Sequence, residues 1–301
     1  MDKIYDLVII GAGPAGLGAA IYAQRAMLDF VILEQFLPGG EIANTYEVEN
    51  YPGINHVSGA ELADRMTKHA EELGVTIRME GVDAVDFSGE IKVVKTRKNS
   101  FMTKTVIIAT GASSRRLGVP GEDDFYGRGV SYCATCDGAL YKDKVVTVIG
   151  GGDVAVEDAI YLSRMAKKVT LIHRRDQLRA VKTLQEKMFQ IEKVEVLWDS
   201  IVTEIQGEDF VTGVHVQNKK TGESFDLPTD GVFVAVGMDP NTRFLKEAVP
   251  TEGNWILTNE NCETKIPGVY AAGDVRKKSL RQVITGVADG AVAVFDLEKY
   301  L

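Results

Sequence analysis

A glycine-rich turn between a strand-like apolar run and a helix-like alanine-rich run constrains the fold of this chain more than any other feature. The apolar run begins at Tyr5, and Gly11, Gly13 and Gly16 form the pattern G-x-G-x-x-G. Glycines at this spacing allow a tight turn and the close approach of a pyrophosphate to a helix N-terminus. Glu34 follows 18 residues after Gly16, near the roughly 20-residue spacing at which a carboxylate accepts a ribose hydroxyl. These residues predict a dinucleotide-binding unit; a tight turn without a ligand is the alternative.

The same arrangement recurs 139 residues later, where Gly150, Gly152 and Ala155 take the places of the three glycines. A strand-like run again precedes the turn, and a helix-like run again follows it. At about 150 residues per domain, the chain is long enough for two domains. The predicted fold class is therefore α/β, with two Rossmann-like dinucleotide-binding domains.

The second unit has a basic cluster where the first unit has an acid. The same offset maps Glu34 onto His173, and Arg174 and Arg175 follow. A carboxylate binds a free ribose 2'-hydroxyl, whereas guanidinium groups bind a 2'-phosphate. The second unit is therefore predicted to prefer NADP, and the first to bind the unphosphorylated ribose of FAD. An ordinary basic loop is the alternative.

Three further apolar runs indicate how the domains are connected. Residues 105–111 and 230–237 each lead from a strand into a glycine, and each could complete one nucleotide-binding unit. Residues 268–274 place an acid just past a strand end, where open α/β sheets bind ligands. If this last run belongs to the first unit, the second unit is an insertion. The predicted domains are a discontinuous FAD-binding domain, 1–113 and 242–301, and an inserted NADPH-binding domain, 114–241.

A C-x-x-C sequence followed by an acid lies just before the second glycine turn and consists of Cys133, Cys136 and Asp137. Two intervening residues let a helical turn bring the sulfurs within bonding distance, which predicts a disulfide that opens readily. Opening it leaves a thiolate that needs a proton, and an Asp137 carboxyl with a raised pKa could donate it. A capping or surface role for Asp137 is the alternative. Half of a zinc site completed by a second chain is also open, although the sequence has no second C-x-x-C.

These sites together predict one electron path. Hydride passes from NADPH to a flavin, two electrons pass from the flavin to the Cys133–Cys136 disulfide, and the dithiol exchanges with a disulfide outside the protein. No metal is expected in this path.

Charge, hydropathy and cysteine number narrow the class further. The net charge of -9 disfavours nucleic acid and anionic membranes as partners. No apolar run approaches the roughly 18 residues that span a bilayer, and the N-terminus does not resemble a signal peptide. The lack of a signal peptide predicts a cytoplasmic protein. The 3 cysteines agree with this, because an odd number in a reducing compartment argues against structural cross-links.

With these residues assembled, the chain resembles the low-molecular-weight bacterial thioredoxin reductases from Gly11 to Leu301. The matching segments are GAGPAG from residue 11, TYEVENYPG from 45, CATCD from 133, HRRDQLR from 173, and GD at 273 with RQ at 281. The resemblance implies an NADPH-dependent flavoenzyme that reduces oxidised thioredoxin. It also implies a homodimer, with the redox disulfide in the inserted NADPH domain.

The resemblance further implies roles for single residues. Cys136 would lie nearest the flavin, Cys133 would attack thioredoxin, and Asp137 would be the acid–base residue. FAD would be bound by Gly11, Gly13, Pro14, Ala15, Gly16, Glu34, Gln35, Gly40, Glu41, Ile42, Thr45, Asn50, Ala109, Thr110, Gly111, Gly273, Asp274, Arg281, Gln282 and Val283. NADPH would be bound by Gly150, Gly152, Asp153, Val154, His173, Arg174, Arg175 and Arg179, the last four holding the 2'-phosphate.

Four positions are not explained by the family pattern. Glu41 stands where glutamine is usual, Val154 where serine or threonine is usual, and Met238 where histidine or tyrosine is common. Cys262 has no partner in the motif and is expected to be a small buried apolar residue.

Three other functions remain open. A reductase for a peroxidase partner would carry an extra N-terminal module, and a ferredoxin-linked relative would lack the basic cluster. A non-catalytic nucleotide sensor would not need the two cysteines and the acid together.

Overall fold

The computed structural model describes residues 3–44 and 48–301, and the chain divides into two compact units. Unit 1 comprises Met1–Ser113 and Asp239–Leu301, and unit 2 comprises Ser114–Met238. The return to unit 1 falls between residues 238 and 239, three residues before the boundary expected from sequence. Unit 1 is therefore built from two separate segments of the chain.

The first segment of unit 1 alternates strands with helices. Its elements are β1 (Ile4–Ile10), α1 (Pro14–Arg25), β2 (Phe30–Glu34), α2 (Gly59–Glu72), β3 (Ile77–Met79), β4 (Val82–Asp86), β5 (Lys92–Thr96), β6 (Ser100–Ile108) and β7 (Ala112–Ser114). Helix α1 begins with Pro14, whose fixed φ suits the first helical position. Ser58 caps α2, because its Oγ accepts the N–H of Glu61 at 3.2 Å.

Unit 2 contains a second alternating series and an added antiparallel sheet. Its elements are β8 (Val130–Ser131), α3 (Ala134–Asp137), β9 (Val145–Gly150), α4 (Asp153–Ser163), β10 (Lys168–Ile172), α5 (Lys182–Phe189), β11 (Val194–Leu197), β12 (Ser200–Gly207), β13 (Val211–Asn218), β14 (Ser224–Pro228), β15 (Gly231–Ala235) and, across the boundary, β16 (Met238–Pro240). The C-terminal segment adds β17 (Thr251–Glu252), β18 (Trp255–Ile256), β19 (Val269–Ala271) and α6 (Val283–Leu297).

The two large sheets begin with the same order of three parallel strands. In unit 1 the order is β3-β2-β1-β6-β5-β4, and β19 also pairs with β6. In unit 2 it is β11-β10-β9-β15-β8. Strands β3, β2, β1, β6 and β19 are parallel to one another, as are all five strands of the unit 2 sheet. The α/β prediction with Rossmann-like sheets is thereby confirmed, because both orders follow that topology.

Both parallel sheets are covered on two faces, which explains their nearly continuous apolar strands. Along β1, Leu7 and Ile9 belong to one buried cluster, and Val8 and Ile10 belong to another on the opposite face. The first of these clusters also contains buried residues of α1 and α6. The glycine-turn ends of β1 and β9 are consequently held on rigid scaffolds.

The antiparallel sheet β12-β13-β14 was not expected from the sequence. It contributes apolar residues from alternate positions, including Val214 and Val216, to the cluster that contains Ile149 and Ile172. The connecting strands β7 and β16 form a separate two-stranded sheet. Within residues 3–44 and 48–301, no helix is long and apolar enough to cross a membrane.

Candidate redox and nucleotide-binding sites

The first glycine turn leaves one of its three glycines open to a ligand. Gly11 has φ +104°, and a Cβ there would lie 2.5 Å from the carbonyl oxygen of Ala109. A Cβ on Gly16 would overlap the carbonyl oxygen of Gly11. A Cβ on Gly13 would meet only the Cα of Gly40, at 3.8 Å. Two glycines therefore serve tight packing, and the third leaves room for a phosphate at the start of α1.

Glu34, the last residue of β2, lies at this turn, as its spacing from Gly16 predicts. Its Oε2 accepts the N–H of Ala12 at 2.6 Å, and its Oε1 accepts the N–H of Phe36 at 2.9 Å. Each carboxylate oxygen has a second lone pair. The carboxylate thus holds the turn in shape and can still accept a ribose hydroxyl.

The C-terminal segment brings further predicted FAD residues to the same turn. A Cβ on Gly273, which has φ +76°, would lie 2.8 Å from the Cβ of Ala15. Burial raises the pKa of the adjacent Asp274, while Lys278 and Arg281 oppose that rise. The strand run that ends in Gly273 thus belongs to the first unit, as the sequence indicated.

Arg281 and Gln282 occupy the turn before α6. The Arg281 guanidinium lies 3.8 Å from the ring centre of Trp255. Its Nε is buried and has no hydrogen-bond partner among the residues that the structure describes. The Gln282 Oε1 accepts a hydrogen bond from Asn50 Nδ2 at 3.0 Å. A buried guanidinium nitrogen in need of an acceptor is compatible with an anionic ligand.

The remaining predicted FAD residues lie mostly around this turn. Gly40 and Ile42 belong to a short 3-10 helix, Gly40–Asn44, and Ile42 packs in a cluster that includes Val283. The hydroxyl of Thr110 donates to the carbonyl oxygen of Asn241 at 2.8 Å. Gly111 is open, since a Cβ there would meet nothing within 4 Å, and the side chain of Gln35 packs against Gly81. Thr45 lies outside the described residues.

Glu41, the unusual carboxylate, is exposed. It accepts a long hydrogen bond, 3.4 Å, from the hydroxyl of Ser113. Met238 is half-buried at the end of unit 2, and nothing in the structure explains its identity.

The second turn repeats the geometry of the first. A Cβ on Gly150 would lie 2.5 Å from the carbonyl oxygen of Ala235 and 2.6 Å from the Cβ of Ala155. A Cβ on Gly152 would meet only Nη2 of Arg179, at 3.9 Å. Asp153, the first residue of α4, accepts the N–H of Val181 at 2.8 Å. The turn therefore has an open face toward Arg179, while the Asp153 carboxylate is engaged with the loop before α5.

The predicted basic cluster divides into exposed and buried members. Arg174, Arg175 and Arg179 are exposed, and no ion pair joins any of them to a carboxylate in the described part of the chain. His173 is buried, with its ring nitrogens near two main-chain carbonyl oxygens. Val154 is 61% exposed at the second turn, so the absence of a hydroxyl there changes no contact within the protein.

The cysteines form a disulfide at the start of α3. Cys133 and Cys136 are bonded, and their Cα atoms are 5.3 Å apart. Cys133 precedes the helix, and its carbonyl oxygen accepts the N–H groups of Cys136 and Asp137 at 3.2 and 3.1 Å. Both cysteines are half-buried. The helical turn that the C-x-x-C spacing predicts therefore places this bond within reach of a reaction partner.

Ser131 is a residue of this site that the sequence did not reveal. It is buried, and its Oγ donates to Asp137 Oδ2 at 2.6 Å and accepts the N–H of Cys133 at 3.1 Å. Its position two residues before Cys133 in a short strand was the only available signal. Nearby, burial together with Asp137 and Asp230 raises the pKa of Tyr141 to about 12.

Cys262 is buried as expected, but it is not a purely apolar residue. Its Sγ accepts a hydrogen bond from Arg276 Nη1 at 2.8 Å. Burial raises the pKa of this thiol to about 12. Arg276 also pairs with Asp289, whose other oxygen accepts the N–H of Gly273 at 2.9 Å. This network supports the Gly273 turn, and Asp289 carried no recognisable pattern in the sequence.

Comparison with known proteins identifies the family. The model for "Pyridine nucleotide-disulphide oxidoreductase" matches residues 5–290. The chain belongs to this family. It is 46% identical to a thioredoxin reductase from Bacillus subtilis (strain 168) over 302 aligned positions, covering all of this chain and 96% of the relative.

Solved structures agree with this assignment. Thioredoxin reductase from Streptococcus pyogenes MGAS5005 is 50% identical, with a TM-score of 0.94 over 100% of this chain and 99% of its own. Thioredoxin reductase from Lactococcus lactis in the FR conformation is 45% identical, with a TM-score of 0.68 over 98% of each chain. The predicted resemblance to the thioredoxin reductases is confirmed. The protein is an oxidoreductase of the disulfide-reducing class.

Proposed function

We propose that the protein is a thioredoxin reductase that takes electrons from NADPH and passes them through FAD to its Cys133–Cys136 disulfide. One observation carries the proposal: unit 2 combines a redox disulfide with an arginine-rich glycine turn, and unit 1 has a glycine turn of the acidic type. The relatives named above support thioredoxin as the disulfide substrate.

Unit 1 has the features that an FAD dinucleotide needs. Gly13 leaves room for the pyrophosphate at the N-terminus of α1, which has no side-chain cap and no acid in its first turn. Glu34 is placed to accept a ribose hydroxyl, and the buried Nε of Arg281 can donate to the cofactor. When bound, FAD would supply two-electron chemistry that links a hydride donor to a disulfide.

Unit 2 has the features that NADPH needs. Gly152 is open at the N-terminus of α4, which also lacks a side-chain cap. Arg174, Arg175 and Arg179 are exposed, and bidentate contacts to a phosphate would satisfy their N–H donors. The preference for NADPH over NADH rests on these guanidinium groups.

The chain's own chemistry centres on the disulfide. Two electrons break the Cys133–Cys136 bond, and two protons complete the dithiol; Asp137, held by Ser131, is placed to deliver one of them. The Cys133 thiolate then attacks one sulfur of the thioredoxin disulfide and forms a mixed disulfide. Cys136 attacks the Cys133 sulfur, which restores the internal disulfide and releases thioredoxin as a dithiol.

The other functions that the sequence left open are less favoured. A ferredoxin-linked enzyme would not need the exposed arginines around the second turn. A nucleotide sensor would not need the Cys133–Cys136 disulfide or the adjacent Asp137, which accepts a hydrogen bond from buried Ser131. An assay that offers thioredoxin or a peroxidase as the disulfide substrate distinguishes a thioredoxin reductase from a reductase for a peroxidase partner.

A homodimer in the cytoplasm completes the proposal. The exposed apolar side of α6 offers a surface for a second copy of the chain. A redox disulfide that must be reduced to work suits a reducing compartment.

Substitution of either cysteine tests the function. Cys133→Ser and Cys136→Ser should abolish NADPH-driven reduction of thioredoxin, while NADPH still bleaches the flavin, because each variant keeps the first step of the path and lacks the disulfide that the later steps need. Asp137→Asn should slow the step from flavin to disulfide, which stopped-flow absorbance resolves. Ordinary thioredoxin turnover by a cysteine variant would refute the proposal, and an unchanged rate in Asp137→Asn would return Asp137 to a structural role.

A further inference from the structure

The ring of His173 is enclosed by main-chain acceptors, unlike the exposed arginines that follow it in sequence. Only 4% of the residue is exposed. Nδ1 lies 2.8 Å from the carbonyl oxygen of Gly150, and Nε2 lies 3.0 Å from the carbonyl oxygen of Gln177. A carbonyl oxygen can only accept, so a ring nitrogen that bonds to one of them does so as the donor. Both ring nitrogens face main-chain oxygens within the protein, so neither is directed toward a phosphate.

The two carbonyl groups belong to different parts of the nucleotide site. Gly150 ends β9 and begins the glycine turn, whereas Gln177 lies in the basic loop, residues 174–179. A main-chain hydrogen bond of 2.6 Å from the Arg179 N–H to the Gly151 carbonyl oxygen joins the same two segments. The imidazole therefore links the turn that would bind the pyrophosphate to the loop that would bind the 2'-phosphate.

The backbone of His173 is fixed independently of its ring. Its N–H donates to the carbonyl oxygen of Leu197 at 2.9 Å, and its own carbonyl oxygen accepts the N–H of Ser200 at 3.0 Å. The ring also contacts Trp198 edge-on, with 6.4 Å between ring centres. Removing the imidazole should therefore leave β10 and its neighbours in place and remove the ring's share of the link between turn and loop, while the Arg179 N–H still bonds to Gly151.

Gly151 supports the link between turn and loop, because its lack of a side chain leaves the space that the His173 ring occupies. A Cβ built on Gly151 would overlap Nδ1 and Cε1 of His173, and its third nearest atom is the ring Cγ, at 2.8 Å. Any side chain at this position would displace the ring. The turn is thus shaped to receive the imidazole.

We propose that His173 is a positioning residue that fastens the glycine turn to the basic loop and leaves the 2'-phosphate to Arg174, Arg175 and Arg179. The proposal rests on the proposed function, since it takes this site to bind NADPH. It differs from the role that the family resemblance implies, in which His173 itself holds the phosphate. Because the pyrophosphate is common to NADPH and NADH, losing the link weakens both nucleotides and leaves the preference between them unchanged.

Dissociation constants for NADP⁺ and NAD⁺, which carry the same phosphates as NADPH and NADH but cannot reduce the oxidised flavoprotein, separate the two roles when measured by titration. His173→Gln should weaken both nucleotides by a similar factor, roughly tenfold, as expected for the loss of about one hydrogen bond. The double variant Arg174→Ala/Arg175→Ala is the matched control, and it should weaken NADPH selectively. A His173→Gln protein that loses affinity for NADPH but retains its affinity for NADH would overturn the proposal.

A second pair of variants does not depend on the stability of His173→Gln. Gly151→Ala should weaken both nucleotides in the native background, because the added methyl displaces the ring. In a His173→Ala background the same change should add almost nothing, since the space is then vacant. Additive losses would show that Gly151 acts through something other than His173 and would contradict the link.

Nitrogen-15 spectra of the unsubstituted holoprotein examine the ring directly. We expect one of the 4 histidines, identified by its loss in His173→Gln, to give a ring N–H signal that persists against exchange with solvent, because the ring is buried and bonded to main-chain oxygens. A His173 ring N–H that exchanges freely with solvent would contradict the proposal. If the native protein binds neither nucleotide, both the proposed function and this inference are wrong. If the native protein prefers NADPH and His173→Gln loses that preference, only this inference is wrong.

Discussion

Asp158 is a carboxylate that α4 holds in a largely apolar setting. Burial, with a smaller contribution from Glu157, raises its pKa to about 7. The native state therefore retains a proton on Asp158 that the unfolded chain releases at lower pH. Since the native state binds more protons over that interval, the free energy of unfolding falls as pH rises from about 4 to about 7.

Substitution of Asp158 by asparagine should remove this penalty. Asp158→Asn should match the native protein near pH 4 and exceed its stability at pH 8, by a few kcal/mol at most, at about 1.4 kcal/mol per pKa unit. Denaturant unfolding at the two pH values measures the difference. The exposed neighbour provides a control, because Glu157→Gln should leave most of the pH dependence in place. A constant difference between native and Asp158→Asn proteins at all pH values would contradict the shift.

Residue positions were more predictable from the sequence than residue contacts. The offset between the glycine turns correctly pairs Glu34 with His173 at the ends of β2 and β10. It does not predict that the His173 ring points inward, because that direction depends on Gly151 and on the carbonyl of Gln177. Likewise, nothing local indicated that the Cys262 thiol would accept a hydrogen bond from Arg276.

Helix α6 has an apolar side that its own unit does not cover. Ile284, Ala288, Val292 and Phe295 follow helical spacing along it, and all four are exposed. Phe295 is the most exposed of them, at 79%. A continuous apolar stripe of this kind is typical of an interface, and the proposed homodimer would cover it.

Phe295→Glu should therefore weaken dimer formation. A charge within an apolar contact is costly to bury, so we expect the dimer dissociation constant to rise at least tenfold, about 1.4 kcal/mol. Light scattering coupled to size-exclusion chromatography over a dilution series gives the constant. Phe210→Glu changes another exposed phenylalanine, 60% accessible in unit 2, and should have no such effect. Equal behaviour of the two variants would place the interface elsewhere.

Elements with a strong local pattern were predictable, and those that depend on distant partners were not. The turns after β1 and β9 follow from their glycines. The sheet β12-β13-β14 was missed, because its strands gain their apolar face only by packing against residues such as Ile149 and Ile172. Asp289 was missed for the same reason, since its partners Gly273 and Arg276 come from another part of the chain.

At the scale of the whole molecule, the disulfide and the proposed nicotinamide site, which must both react with one flavin, belong to the same unit. The Cys133–Cys136 disulfide and the second glycine turn both belong to unit 2, whereas the first glycine turn belongs to unit 1. A flavin ring packed on one side by its own domain has a single open face. The nicotinamide and the disulfide cannot occupy that face together, so the proposed reaction requires them to alternate there.

We therefore expect unit 2 to rotate during each cycle, with the connecting segments near residues 113–121 and 239–243 as hinges. One cysteine introduced in each unit and joined by a bismaleimide would lock one arrangement. The reagent would react only at the introduced thiols, because Cys133 and Cys136 are bonded and Cys262 is buried. The locked protein should keep its flavin and stop reducing thioredoxin, while retaining one of the two half-reactions.

The same variant treated with a monofunctional maleimide is the control, and it should turn over normally because the hinges remain free. Stopped-flow absorbance then identifies the lost step. A cross-link that blocks flavin reduction by NADPH leaves electron exchange between flavin and disulfide intact. A cross-link in the other arrangement leaves flavin reduction by NADPH intact and blocks exchange with the disulfide. Turnover of the cross-linked protein at the control rate would exclude rotation. Loss of both half-reactions would instead indicate damage to the flavin site, which the flavin absorbance spectrum detects independently.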